Sequence, residues 1–210
     1  MAENPSGNPT AALMVDLIIT LDGCASGEGW PGWWGLEGPE YLAWLDEEGK
    51  KDFTLLMGAN TYHVMSGLSQ QAAEQGSDFS AEEGASLTGL AAMPKVIFSN
   101  TLQEPLAWPN TELVRGDAVE HVRRMKESRT GTLSTLGSLS LGRSLLSAGL
   151  VDRFRLVVFP VITGRTGSER IYDGYPDVAL ELVDSRTFDG RSQLLEYIPT
   201  VIDGPPPARS

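Results

Sequence analysis

Two segments of the chain place a glycine and hydrogen-bonding side chains where an apolar run gives way to a helical pattern. They are Met57-Gly58-Ala59-Asn60-Thr61-Tyr62 and Leu136-Gly137-Ser138-Leu139-Ser140-Leu141. A glycine at such a junction lets backbone approach a ligand closely, and the first turn of the helix offers free N–H groups to an anion. Taken singly, each segment also reads as turn and cap chemistry, with Gly137 in a tight turn and Ser140 as a cap. Neither is a P-loop or a complete G-x-G-x-x-G fingerprint. Two such junctions, with Ser99-Asn100 closing a third apolar run, point to an extended, phosphate-bearing ligand.

Asp22 closes the first apolar run beside Gly23. It either caps the turn or faces a polar substrate. Residues 27–40, GEGWPGWWGLEGPE, carry Trp30, Trp33 and Trp34 among five glycines. That backbone is costly to order, while indoles bury large flat surfaces and stack on planar rings. The loop could close over a planar substrate, pack on a second subunit, or cover the core. Asp22, Trp30, Trp33 and Trp34 are the expected substrate contacts. Asp46 and Glu48 are further candidates to supply a proton or a proton-relay water, against plain surface solvation. His63 and His121 read as surface or packing residues, and no Ser-His-Asp order or metal-ligand spacing stands out. No catalytic acid is named. The one cysteine, Cys24, excludes an internal disulfide framework and a Cys-rich zinc site, and reads as an inert buried thiol.

The elements that must position these residues follow from periodicity. Apolar runs at 13–20, 53–58, 93–100, 111–116, 132–137 and 153–162 read as strands, several of them buried on both faces. Helices are predicted from Pro39 through residue 51, over 59–66, over 118–129, and after residue 137 to a stop at Gly149. Tyr41, Trp44, Leu45 and Glu48 share one helical face. Residues 67–92 read as a long loop with some helical content. Residues 179–188, the Asp189-Gly190 turn and residues 192–198 read as a terminal hairpin. The expectation is a single three-layer α/β domain over 12–202, with a mostly parallel central sheet, flanking helices and a C-terminal antiparallel hairpin. Residues 1–11 and 203–210 read as disordered tails. In such sheets ligands bind at the carboxyl ends of strands, where the two glycine junctions fall.

The 210 residues carry a formal net charge of -12, which disfavours nucleic acid as a partner. The charge is concentrated in residues 1–100, with 3 basic and 14 acidic residues, while 101–210 hold 13 and 14. Charge partners for a small anion are therefore sought in the second half. No stretch approaches the roughly 20 apolar residues of a membrane span. The first residues, MAENPSGNPTAA, lack a basic region followed by an apolar core. The expected compartment is the cytoplasm, with no membrane partner.

Against this background the chain resembles the dihydrofolate-reductase-like superfamily, and more closely the reductase domain of bacterial riboflavin biosynthesis, the RibD C-terminal-like domain. The likeness is carried by Leu21-Asp22-Gly23, by Leu56 through Tyr62, and by Lys95-Val96-Ile97-Phe98-Ser99. Its most specific part is the block Gly137-Ser138-Leu139-Ser140-Leu141 through Gly149-Leu150-Val151-Asp152, continuing into Leu156 through Gly167. It covers roughly residues 12–199. The resemblance implies an eight- or nine-stranded sheet, NADPH as hydride donor with NADH also possible, a small-molecule substrate, and a homodimer. It implies a cofactor cradle of Gly58, Asn60, Thr61, Ser99, Asn100, Gly137, Ser138, Leu139, Ser140 and Leu141. Two positions depart from the pattern. Gly137-Ser138 stands where the family has paired glycines. Ala59 stands where a basic residue commonly pairs with the adenosine 2′-phosphate. The expected activity is hydride transfer to a planar heterocycle. The alternative is a catalytically inactive, dimeric binding or regulatory protein that kept the fold.

Overall fold

Alternation of apolar strands with helices builds one eight-stranded sheet covered on both faces. The computed structural model describes residues 11–30, 32–74 and 81–204. In chain order the elements are β1 (Ala12–Thr20), β2 (Cys24–Gly27), a 3-10 turn (Gly32–Gly35), α1 (Pro39–Glu48), β3 (Phe53–Gly58), α2 (Ala59–Ala73), α3 (Ala81–Ala92), β4 (Lys95–Phe98) and β5 (Thr111–Val114). They continue with α4 (Ala118–Ser128), β6 (Thr132–Thr135), α5 (Leu139–Ser147), β7 (Arg153–Phe159), β8 (Gly167–Arg170), β9 (Val178–Phe188) and β10 (Ser192–Val201).

The sheet order is β5-β4-β3-β6-β1-β7-β10-β9. The first six strands are parallel, and β10 runs antiparallel to both β7 and β9. This is the expected three-layer α/β arrangement, with its hairpin turning at Asp189-Gly190. A short β2–β8 ribbon stands apart.

Side-chain alternation along β1 divides the molecule into two halves. Leu13, Val15, Leu17 and Ile19 join Val122 and Met125 of α4 and Leu141, Leu145 and Leu146 of α5 in one continuous apolar core. The other face carries two separate clusters. Tyr41 and Trp44 of α1 pack with Val157, Phe159, Phe188 and Leu194. Tyr62 of α2 packs with Leu55, Met57, Ile97 and Trp108.

Helix α1 begins at Pro39, a good first helical residue, but Gly38 before it supplies no side-chain cap. The hairpin turn does so instead. The Asp189 carboxylate accepts the Glu40 N–H at 3.0 Å and the Tyr41 N–H at 3.2 Å. A Cβ on Gly38 would sit 2.3 Å from that carboxylate, so only glycine fits.

Several boundaries differ from the sequence reading. The short helix from residue 59 continues to Ala73, and Ala81–Ala92 forms α3 where a long loop with some helical content was expected. Both stretches are rich in Gly, Ala and Ser and show only weak amphipathic contrast. Strand β8 was not expected, because four mostly exposed polar residues form it. Of the expected tails, residues 1–10 and 205–210 lie outside the described residues. Ala11 is fully buried and donates its N–H to the Lys126 carbonyl. No described helix is long and apolar enough to cross a membrane.

Candidate functional site

The gap between the two clusters on the α1–α3 face is a cleft of about 1330 Å³. The starts of α2 and α5 open onto it, and Asp16 of β1 and Arg155 of β7 form part of its strand floor, with Trp44 and Glu48 of α1 also in the lining.

At the helix starts, Gly137 (φ +55°) and Ser138 (φ 60°) are consecutive left-handed residues. The turn is tight, and a glycine serves it without strain. The Ser138 hydroxyl accepts the Gly58 N–H at 2.7 Å and so ties the two turns together. A Cβ on Gly58 would lie 3.2 Å from that oxygen, too close without a shift. Neither α2 nor α5 has a side-chain cap. Helix α4 is different: Asp117 accepts the N–H groups of Val119 and Glu120. Among the helix starts described, those of α1 and α4 are thus closed by carboxylates of the protein, and those of α2 and α5, which face the cleft, are not.

The floor is charged. Asp16 and Arg155 are direct neighbours across the parallel β1–β7 pair. One Arg155 nitrogen binds Asp16 Oδ2 at 2.6 Å and another binds Glu48 Oε2 at 2.8 Å. Lys51 takes the other oxygen of Glu48. The guanidinium lies over the Trp44 ring, 5.0 Å from its centroid. Burial opposes the charge on Arg155, but Asp16 and Glu48 outweigh it and raise its pKa. Burial likewise opposes the charge on Glu48, yet hydrogen bonds from Lys51 and Arg155 hold its carboxyl below the ordinary glutamate value. Burial, helped by the Asp16 charge, drives the Tyr41 phenol upward. Arg155 Nε and the Tyr41 hydroxyl are buried without a partner.

The cleft brings together Trp33, Gly58, Asn60, Thr61, Gly137, Ser138, Leu139 and Ser140 of the expected site residues. The others lie outside its lining. Asp22 turns to the segment after β7 and accepts the Thr163 and Gly164 N–H groups. The Thr20 hydroxyl, with the Gly164 and Thr163 amides, holds its carboxyl below the ordinary aspartate range against the opposing effect of burial. Ser99 Oγ accepts the Thr101 and Leu102 N–H groups, and Asn100 Oδ1 accepts that of Gly116. Leu141 is core. Trp34 is buried against the α1 cluster, while Trp30 is 41% exposed and donates to Thr166 Oγ1 at 3.0 Å. Those two rings line a smaller recess of about 300 Å³, and Trp33 borders both spaces. His63 and His121 do not line the cleft and stand beside Tyr62 and Phe98. Cys24 is buried, and no group of His, Cys, Asp or Glu among the described residues could hold a metal.

Sequence reasoning passed over Asp16 and Arg155. The available signal was a lone charge in each of two apolar strands, LMVDLIIT and the middle of RFRLVVF. Charges inside buried strands need partners, and these two partner each other.

Comparison with known proteins agrees with this architecture. The chain is 27% identical to the uncharacterized protein YyaP of Bacillus subtilis (strain 168) over 177 residues, 84% of this chain and 88% of that protein. A protein of Shewanella sp. PV-4, named for riboflavin biosynthesis, superposes with a TM-score of 0.62 at 18% identity, covering 90% of this chain and 99% of that one. Dihydrofolate reductase of Enterococcus faecalis, solved with NADP(H), superposes with a TM-score of 0.57 at 14% identity, covering 90% and 96%. These structural likenesses show a dihydrofolate-reductase-like fold. Residues 11–194 match the model of the RibD C-terminal domain, and with this match across most of its length the chain belongs to that family.

Proposed function

We propose that the protein is a pyridine-nucleotide-dependent reductase that transfers hydride to a planar heterocyclic substrate, as in riboflavin-pathway and dihydrofolate reductases. The observation that carries this reading is the pair of uncapped helix starts on one cleft, since the other two starts described above are closed by Asp189 and Asp117. Uncapped first-turn N–H groups are donors for the oxygens of a diphosphate.

The residues present fit that group. Gly58 and Gly137 keep side chains out of the two turns, and the Ser138 hydroxyl keeps its proton available while accepting from Gly58. Asn60, Thr61 and Ser140 add polar side chains along the same wall. A bound nicotinamide would supply the hydride. The chain's part is to fix the diphosphate at α2 and α5 and to set the substrate on the floor, with Trp33 and Trp44 excluding water.

NADPH and NADH are both expected to bind, with little discrimination. Ala59 has no charge to offer a 2′-phosphate, and Arg115 is spent on the Asn100 and Leu102 carbonyls, which leaves Arg143 in the cleft lining as the alternative charge partner. Titration of the protein into NADPH and into NADH, followed by nicotinamide fluorescence, tests the reading. Saturable enhancement at micromolar cofactor is expected for both, with affinities within about tenfold, or 1.4 kcal/mol. No change at millimolar cofactor overturns it and favours a binding protein that kept the fold.

A further inference from the structure

The cofactor reading uses the starts of α2 and α5 and leaves the rest of the helical wall unassigned. That wall is apolar. Leu45 of α1, Val64 and Leu68 of α2, Leu87 and Leu90 of α3, and Met93 just after it all line the cleft. Leu90 and Met93 pack against the cluster of Leu55, Ile97 and Trp108, so the wall is continuous with the core behind it. Val64, 61% exposed, presents its methyl groups to the open space.

The charges around this wall are set against anions. Residues 52–94, which supply α2 and α3, contain no Lys or Arg. Among the described residues, the cations of the cleft lining are Lys50, Arg143 and Arg155. Arg155 is shared by Asp16 and Glu48. Lys50 pairs with Asp46 at 2.5 Å, so a ligand that recruits the ammonium also meets that carboxylate. Arg143 belongs to α5, the cofactor's wall, and lies beside Gly174. Lys95 follows α3 in sequence but is 2% exposed and turned away from the cleft. Its ammonium donates to the Leu90, Ala91 and Met93 carbonyls at 2.9, 2.9 and 2.6 Å and lies over the Trp108 ring. It closes the C-terminal end of α3 and so fixes Leu90 and Met93 in the wall. Asp46, Glu48 and Glu83 add carboxylates to the lining. An anion moved from water onto this surface loses hydration and finds no uncommitted cation among the described residues of α1, α2 and α3 to replace it.

We infer that the substrate carries an uncharged, apolar substituent, aromatic or branched aliphatic, which lies against α1, α2 and α3, and that phosphorylated or carboxylated substituents are excluded there. This names the substrate class of the reductase reading and rests on that reading for the chemistry after binding.

The test uses N-phenyl-1-naphthylamine and its anionic counterpart 1-anilinonaphthalene-8-sulfonate. The two share one aromatic skeleton, differ by a sulfonate, and fluoresce on entering apolar sites. The wild-type protein should bind the neutral probe at least about tenfold more tightly than the sulfonate, and NADPH should not displace it. Val64→Lys, at an exposed helix position, puts a cation on the wall and should weaken the neutral probe while tightening the sulfonate. Val183→Lys makes the same change of charge on β9, outside the lining, and should leave both affinities as they were. The inference is overturned by wild-type binding of the sulfonate as tight as that of the neutral probe, by no saturable binding of the neutral probe at micromolar concentration, or by its displacement by NADPH. It is equally overturned by a cooperatively melting Val64→Lys variant whose preference is unaltered or is matched by Val183→Lys. Where Val64→Lys does not melt cooperatively, the wild-type pair and the NADPH competition decide alone. Calorimetric titration of the same wild-type samples with NADPH reads the reductase proposal separately. Probe selectivity without NADPH binding removes the reductase reading only, and NADPH binding without selectivity removes this inference only.

Discussion

The two faces of the sheet are built by the same strands and finished in opposite ways. Under α4 and α5, the side chains of β1 meet an uninterrupted apolar layer. Under α1, α2 and α3, alternate residues of those strands meet two apolar clusters with a charged strip between them. The first face has the composition of a stability core. The second forgoes apolar packing at its centre, and that is where the uncapped helix starts and the largely buried Asp16–Arg155 pair line the cleft. One sheet thus separates a continuous apolar core from an open cleft, and the difference can be broken from either side.

The largest effect is expected at the charged strip. Arg155→Met leaves Asp16 and Glu48 without their shared cation, and loss of one partner of a buried pair costs about 3–5 kcal/mol. Urea denaturation should show that loss; a change below about 1 kcal/mol would mean that solvent already screens the strip. On the closed face, Leu145, 0% exposed, is the matching probe. Leu145→Ala should lose about 2–5 kcal/mol through the cavity it leaves, while the folded fraction keeps its cofactor affinity.

Smaller effects separate stability from binding. Gly137→Ala forces a side chain into a left-handed residue, at about 1–2 kcal/mol. Its Cβ would meet Thr61 at 3.5 Å, an ordinary contact, so the fold should survive. Cofactor affinity should fall at least tenfold, and a folded variant with unchanged affinity would remove the α5 turn from the proposed site. Ala59→Asp should move the two quantities in opposite directions. A carboxylate in the first turn stabilises a helix by about 0.3–1 kcal/mol, while repelling a phosphate at the same place. Thermal melting and NADPH titration of one sample check both signs.

The smallest effect is one of pH. The carboxyl of Glu48 is held below its ordinary value of 4.5, so the folded state binds its proton less readily than the unfolded state. Its contribution is therefore present above that ordinary value and is lost as pH falls through the lower folded value. The stability difference between wild type and Glu48→Gln should shrink in acid. A difference that stays constant from neutral pH into strong acid would show that Glu48 titrates normally.

The closed face was the more legible in sequence. Leu141, Leu145 and Leu146 at helical spacing, and Val122 with Met125, announce their burial, because apolar periodicity is a local property of the chain. The glycine junctions were legible as well, since turn chemistry is also local. The charged strip was not. Asp16 and Arg155 are 139 residues apart, and each looks like a blemish in an apolar strand until parallel pairing sets them side by side. Ser99 and Asn100 show the opposite limit: their side chains suit a ligand, yet they bond to neighbouring backbone, which sequence spacing does not reveal. The three tryptophans went three ways, because a glycine-rich turn with left-handed residues at Trp33 and Trp34 follows no period.

The contact between Asp189 and the start of α1 has a consequence for the order in which the molecule is made. The helix carrying Trp44 and Glu48 leaves the ribosome early, but its first-turn N–H groups meet their carboxylate only when the hairpin turn 149 residues further on is synthesised. At synthesis rates of roughly 5–20 residues per second that interval is about 7–30 seconds. Throughout it, the nascent chain can assemble the apolar layer around β1 and α4 while one wall of the cleft waits for its anchor. The charged floor waits as well, since Arg155 also emerges late. The α1 wall of the cleft is therefore anchored late, and chains truncated before the hairpin lack the carboxylate that caps it.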